Sequence, residues 1–381
     1  MQHAGRLVDA INLQLNLIRL AERNGAAHAD DYHVLGVMFF AIRDYPNAAN
    51  AFGRELGMRP GARDASMNLG LSLVRCQRLD EGIRHLENAA DRYGNDPNLL
   101  DGMADAYWKK GDWNKARLYG EKSLRIKDIR ACAVETGLAL ATREVPPFRP
   151  ERPVENIISF SLYGGAEQYH VGAIRNVEAA AVLYPEWRCR FYCDPRVPRP
   201  IVSALRSAGA QIVTMPRPGR PADGLFWRFL VADDPGVARF LVRDCDSIVN
   251  RRERCAVQDW LRSERSFHVM RDNGSHTALI MAGMWGGVAG RLPPLSRLLK
   301  TFVFDPATES RTADQCFLGR VVWPLIKKDC IIHDSIYRNF GARDFPPGPG
   351  IDRGRHVGDN DYVIRRLGSE GIGQDPKPPD S

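Results

Sequence analysis

Arg239-Phe240-Leu241-Val242-Arg243-Asp244-Cys245-Asp246 is an apolar run that ends in two carboxylates. Asp244 and Asp246 stand one residue apart, so on leaving a strand they emerge on the same side. Hard oxygen ligands at such an edge suit a divalent cation, Mg²⁺ or Mn²⁺, shared between the protein and a diphosphate. What lies on either side of this stretch decides what fold it belongs to.

On the amino-terminal side, Asn156 to Leu162 (NIISFSL) reads as a buried strand, Gly172 to Leu183 as a helix and Trp187 to Tyr192 as a strand. Pro200 to Ala208 then reads as a helix, Gln211 to Met215 as a strand and Leu225 to Asp234 as a helical segment carrying Trp227 and Arg228. On the other side, Phe267 to Met270 is a strand ending in Arg271-Asp272, and residues 282–287 (AGMWGG) read as a glycine-rich turn. Asp314-Gln315 opens a helix running through Val322, and Cys330 to Asp334 is a short apolar strand that brings His333 to its end. Strands alternating with helices imply a mostly parallel sheet covered on both faces, which binds ligands at the carboxyl ends of its strands.

The first third has a different period. Lining up residues 29–128 in steps of 34 puts Gly36, Gly70 and Ala104 at one position and Ala48, Gly82 and Ala116 at another. Leu35, Leu69 and Met103 precede the first set, and Phe39, Leu73 and Tyr107 follow it. Phe52 and Leu86 come after the second, where Gly120 departs from the large residue expected. Small residues at fixed offsets let two helices cross closely, while the large ones fill the space between them. Arg43-Asp44-Tyr45 and Lys110-Gly111-Asp112-Trp113 fall where helices should break, and residues 5–23, with Leu7, Ile11, Leu15 and Ile18 on one stripe, add a further helix. This pattern resembles the tetratricopeptide repeat (TPR) family, a helix, turn and helix in each repeat. The resemblance implies an all-α solenoid with a concave groove for a protein partner.

Residues 143–154 contain four prolines and cannot continue a helix. The expected organisation is therefore multidomain: a TPR-like array at 1–142, a linker at 143–154, an α/β domain at 155–342 and an irregular, partly disordered tail at 343–381. At 381 residues the chain is long enough for two well-buried cores, and 44% apolar residues suit a folded protein. No apolar stretch nears the roughly 20 residues of a membrane span, and no secretory signal opens the chain. The eight scattered cysteines lack metal-finger spacing and point to a reducing cytoplasm, and the basic charge would suit an acidic membrane face, so the expected location is cytoplasmic or peripheral at the inner membrane. A net charge of +7 favours anionic partners. Nucleic acid is not among those expected, since the chain carries no zinc-finger spacing, RNP-like motif or dense basic block.

In this order the later elements resemble a GT-A type (Rossmann-like) bacterial glycosyltransferase over roughly residues 155–340. The resemblance implies transfer of a sugar from a nucleotide donor, UDP- or GDP-linked, to a glycan, lipid or protein acceptor. It implies that Asp244 and Asp246 hold Mn²⁺ or Mg²⁺ against the donor diphosphate and that His333 completes the metal shell. It also places the nucleotide near Ser161, Tyr163 and Asn176. Arg228 and Arg243 are permanent cations able to grip phosphate. Asp272 and Asp314 are both candidates for the carboxylate base an inverting reaction needs. Gly283, Met284 and Trp285 form the expected acceptor contact, Trp285 through its ring face.

Two other readings stand beside this one. Asp244-Cys245-Asp246-Ser247-Ile248 also brushes against the D-x-D-x-[TV] motif of haloacid dehalogenase phosphatases, but Ile248 replaces the Thr or Val and three strands precede the motif. In the other, the repeat array is the working part and the α/β domain is a degenerate transferase that serves as scaffold.

Overall fold

The computed structural model describes residues 2–142, 145–305, 312–351 and 355–360. The chain divides into two compact units, one ending at Ser123 and the other beginning at Leu124.

The first unit is helical: α1 (Gln2–Arg23), α2 (Ala29–Ala41), α3 (Tyr45–Met58), α4 (Arg63–Arg75), α5 (Leu79–Tyr93), α6 (Pro97–Lys110) and the start of α7 (Trp113–Cys132). The repeat positions do the work expected of them. A Cβ at Gly36 would lie 2.6 Å from the Phe52 ring, and one at Gly70 would lie 2.8 Å from Leu86, so α2 and α3, like α4 and α5, pack with almost no space between them. Phe52 and Leu86 are buried, as are Ala48, Ala104 and Ala116. The turns repeat too. Arg43, Gln77 and Gly111 stand at the same place in successive repeats and take left-handed backbone, with φ of 66°, 64° and 81°. This is the conformation that ends a helix and turns the chain back. Asp44 and Asp112 then start the next helices, their side chains accepting from the amides of Asn47 and Lys115.

The second unit is built on a seven-stranded sheet: β1 (Asn156–Leu162), β2 (Arg188–Cys193), β3 (Gln211–Thr214), β4 (Arg239–Val242), β5 (Phe267–Arg271), β6 (Trp285–Val288) and β7 (Cys330–Asp334). Their order is β3-β2-β1-β4-β6-β5-β7. The β1–β2, β2–β3, β1–β4 and β5–β7 pairs are parallel, whereas β6 runs antiparallel to both β4 and β5. Helix α8 (Glu167–Leu183) links β1 to β2, and α9 (Arg199–Ser207) links β2 to β3. The expected helical segment before β4 is a 3₁₀ stretch, Pro221–Asp233. Helices α10 (Arg251–Leu261), α11 (Leu295–Thr301), α12 (Ala313–Phe317) and α13 (Trp323–Ile326) complete the unit, with a π-helical turn at Leu318–Val322.

β4 is buried throughout and β1 nearly so, which explains why both read as mainly apolar runs. Phe160 of β1 and Phe191 of β2 are register partners whose rings stack at 4.7 Å. Residues 345–351 and 355–359 lie outside any strand or helix, while Arg343 and Asn360 make single bridges to His333 and Ser247. Residues 352–354 and 361–381, on which the rest of the tail reading falls, lie outside the described residues, as do 143 and 144 of the proline-rich stretch.

One element overturns its sequence reading. Residues 285–288 form strand β6, not a glycine-rich turn. A Cβ at Gly286 would approach the Phe240 carbonyl oxygen to 2.5 Å, and one at Gly287 would meet Phe267 at 2.5 Å. These glycines let neighbouring strands and side chains close in, a use of glycine inside a strand that also mimics a turn in sequence.

Candidate active site

The strand order reverses between β1 and β4, because β2 and β3 lie on one side of β1 and β4 on the other. In open sheets of this kind the carboxyl ends at the reversal leave a crevice for ligands. Ser161 and Tyr163 stand at the end of β1, and Asp244 and Asp246 just beyond β4.

A charge chain crosses this edge. The Arg228 guanidinium donates through Nη1 to Asp244 Oδ1 and through Nη2 to Asp314 Oδ2 (2.7 Å), and Nη1 also reaches the Arg243 carbonyl at 3.2 Å. Arg228 and Asp314 are buried, whereas the Asp244 side chain is 45% exposed. Burial alone would depress the Arg228 guanidinium, but the two carboxylates more than offset it and hold it above its ordinary value. Burial raises the Asp314 carboxyl above the usual aspartate range, against the opposing pull of Arg228. Tyr163 is raised chiefly by burial as well. Ser161 Oγ accepts from the Arg228 amide at 3.0 Å, and its carbonyl accepts from Cys245 Sγ at 3.3 Å. Ser161, Tyr163, Arg228, Asp244 and Asp314 are thus brought together.

Gly283 belongs with them, though not as a sugar contact. A Cβ there would collide with the Asp244 carboxylate, so glycine is what allows that carboxylate to lie against the chain. Gly283→Ala is expected to push Asp244 aside and cost about 1–3 kcal/mol as an overpacked site does. Thermal denaturation reads this as a lowered Tm; an unchanged Tm would mean that the carboxylate swings away freely.

Several assignments from the sequence are corrected. Trp285 is fully buried in β6 against Phe229 and Phe240, so it offers no ring face to a sugar, and Met284 is buried in a small cluster with Met270, Phe345 and Val357. Arg243 is buried and spent on Glu253 (3.0 Å) and the Trp285 carbonyl (3.1 Å), so it does not face the edge as a phosphate grip. Arg228, likewise, spends both of its Nη groups on carboxylates. Asn176 is fully buried and bonded to the turn after β4, which removes it from a nucleotide-contacting role. Asp272 is buried and held by two bonds from Arg252, at 2.7 and 2.8 Å, with Ser335 Oγ and the Val357 amide completing its shell. Four donors occupy the two Asp272 oxygens, against one guanidinium bond and one amide bond on those of Asp314, so Asp272 is the poorer of the two as a base.

His333 is the clearest departure. It sits on β7, three strand positions from β4, or about 14 Å at the usual strand spacing. Its Nδ1 and His268 Nε2 share a 2.8 Å hydrogen bond, and its Nε2 lies 3.3 Å from Asp259. Burial lowers its pKa to about 4, against the opposing pull of Asp259. No group of three or more His, Cys, Asp or Glu side chains able to hold a metal occurs among the described residues, so the set Asp244, Asp246 and His333 does not assemble. The two aspartates by themselves fit the looser arrangement in which Mg²⁺ or Mn²⁺ rests on one or two carboxylates and the phosphates of a substrate.

The sequence reading missed Asn360 and Gly172. Asn360 Nδ2 donates to Asp246 Oδ2 at 2.7 Å, and Asn360 bridges Ser247 in antiparallel fashion. Its position in an irregular segment gives no local signal, whereas Gly172, one helical turn before Asn176, could have been found by asking which face of α8 meets the acidic turn.

The first unit carries its own concavity, a cavity of about 590 Å³ among α3, α4 and α5, lined by Gly53, Arg54, Leu69, Leu73, Arg78 and His85 among others. Residues 62–128 match the tetratricopeptide repeat model. A TPR region of this kind presents surfaces for protein partners. No curated protein matches the chain. Among solved structures, the chain is similar to a mutant of the Thermobaculum terrenum O-GlcNAc transferase, with a TM-score of 0.41 and 17% identity over 64% of this chain and 43% of that one. It is also similar to MamA of MSR-1 (TM-score 0.31, 19% identity, 33% of this chain and 70% of that one) and to MamA from Desulfovibrio magneticus RS-1 (TM-score 0.26, 18% identity, 32% and 79%). The chain spans less than half the length of the transferase, and likenesses at this level carry no argument about activity. No helix among the described residues is long and apolar enough to cross a membrane.

Proposed function

We propose that the second unit is a nucleotide-sugar-dependent glycosyltransferase of the GT-A type, and that the TPR unit recruits the acceptor or a protein partner. The observation that carries this reading is the pair of carboxylates at the carboxyl end of β4, beside the end of β1, where the strand order reverses.

Ser161 and Tyr163 would receive the nucleoside of a UDP- or GDP-sugar, and its diphosphate would lie toward Asp244 and Asp246. A Mg²⁺ or Mn²⁺ ion held by those two carboxylates would supply charge stabilisation to the leaving diphosphate. Arg228 keeps the half-exposed Asp244 oriented and favours the ionised form of the buried Asp314. Asp314, its proton affinity raised by burial, is the group suited to take the proton of an acceptor hydroxyl as the new bond to the sugar forms. Trp227, buried edge-on against Tyr163, fixes that tyrosine ring.

A second reading draws on one observation: Asp244 and Asp246 already have internal partners in Arg228 and Asn360, as they would in a degenerate transferase that serves as scaffold. Titration calorimetry with UDP, GDP and their sugars, with and without Mn²⁺, separates the two. Metal-supported binding is expected, and Asp246→Ala should abolish it without lowering the Tm, because that side chain does not pack the core. Failure of every nucleotide to bind, or equal binding by Asp246→Ala, would overturn the enzymatic reading.

A further inference from the structure

The turn that carries Asp246 is held from beneath by two residues one helical turn apart on α8. At Gly172 a Cβ would collide with the Cys245 carbonyl oxygen and lie 3.3 Å from the Asp246 Cα, so helix and turn touch backbone to backbone. Asn176 then stitches them together. Its Nδ2 donates to the carbonyls of Gly172 (3.0 Å), Cys245 (3.2 Å) and Ser247 (3.0 Å), and its Oδ1 accepts from the Val249 amide at 3.1 Å.

A carboxamide has two N–H hydrogens and one carbonyl oxygen. Three acceptors already share those two hydrogens, and the side chain has no exposed surface, so Asn176 has nothing left to offer a ligand. Its bonds fall on residues 245, 247 and 249, which alternate along the turn and bracket Asp246. They fix the backbone from which the Asp246 carboxylate projects. Aspartate could not replace it, since a carboxylate would face three carbonyl oxygens without a hydrogen to give. Leucine would match its bulk and supply none of its bonds.

We infer that Asn176 is a positioning residue that sets the direction of the Asp246 carboxylate through the 245–249 backbone without touching ligand. Its importance for binding rests on the proposal that Asp244 and Asp246 form the diphosphate edge. The positioning itself does not, and can be measured separately.

The experiment compares the full chain with Asn176→Leu, and with the smaller Asn176→Ser in case the first does not fold, in two measurements. In the first, the side-chain amide resonance of Asn360, assigned by its loss in Asn360→Asp, reports the hydrogen bond to Asp246. It should shift in the folded variant, and an unshifted signal would overturn the inference. In the second, uridine and UDP with Mn²⁺ are titrated separately. UDP should bind at least tenfold more weakly to the variant while uridine binds equally well, since only the diphosphate depends on Asp246. Equal losses for both would mean a merely structural role and would also overturn it. If the wild-type chain binds no UDP while the Asn360 signal still shifts, the functional reading fails and the positioning role stands.

Discussion

Arg271→Met is expected to destabilise the second unit by about 3–5 kcal/mol, the usual cost of stripping one partner from a buried ion pair. Arg271 and Asp334 have no exposed side-chain surface and meet at 2.8 Å between Nε and Oδ2, across the parallel pair β5 and β7. Arg271 also donates to the Leu279 carbonyl at 2.8 Å, and Asp334 Oδ1 accepts from the amides of Ile336 and Tyr337 at 2.9 and 2.7 Å. Removing the guanidinium leaves the Asp334 carboxylate in the interior without its cation. Urea denaturation checks this; a loss below about 1 kcal/mol, the range of an exposed pair, would show that water reaches Asp334.

If the second unit is the transferase proposed above, Arg228→Met is expected to lower the rate of transfer severely. One guanidinium spans two carboxylates here through two different nitrogens, Nη1 to Asp244 and Nη2 to Asp314. Without it Asp314 stays buried with no cation, and Asp244 loses the bond that orients it. Removing a preorganised charge partner of this kind costs about 10²–10³ in rate. Arg228→Lys should also lose most activity, because one ammonium nitrogen cannot stand where both Nη1 and Nη2 stand. The pH dependence gives the sign. Burial already raises Asp314 and Arg228 opposes it, so losing the cation drives that carboxyl higher and moves the acidic limb of the rate profile toward higher pH. Steady-state rates across pH for both variants measure this. Full activity in Arg228→Lys, or an unmoved acidic limb, would remove Asp314 from the role of base.

Much of the architecture could be read from residue patterns, for identifiable reasons. Phe240-Leu241-Val242 is apolar throughout and NIISFSL carries only small polar residues and one Asn among its apolar ones, because β4 and β1 lie inside the sheet and are buried. The helical repeat was legible because Gly36 and Gly70 must each face a large residue of the next helix, and that demand recurs at a fixed interval. β6 was missed because Gly286 and Gly287 serve close packing inside a strand, yet look the same in sequence as glycines that permit a turn.

At the site, the edge was legible and the partners were not. Asp244, Asp246 and Asp314 stand out in the sequence because carboxylates at the ends of elements are conspicuous locally, and Arg228 joins Asp244 to Asp314. That Arg243 turns inward to the Trp285 carbonyl while Arg228 reaches Asp314 depends on contacts between segments 42 and 86 residues apart. His333 failed for a related reason: its place at the end of a strand was right, but strand order, which no local pattern encodes, carries it to the far side of the sheet.

The internal partners of the two aspartates carry one more consequence. Two like charges one residue apart repel, and a turn that relied on a bound cation to quiet them would unravel when a chelator removed it, as small metal-nucleated domains do. Here Arg228 and Asn360 each engage one of the pair. The acidic turn can therefore reach its native shape during synthesis irrespective of divalent-ion supply.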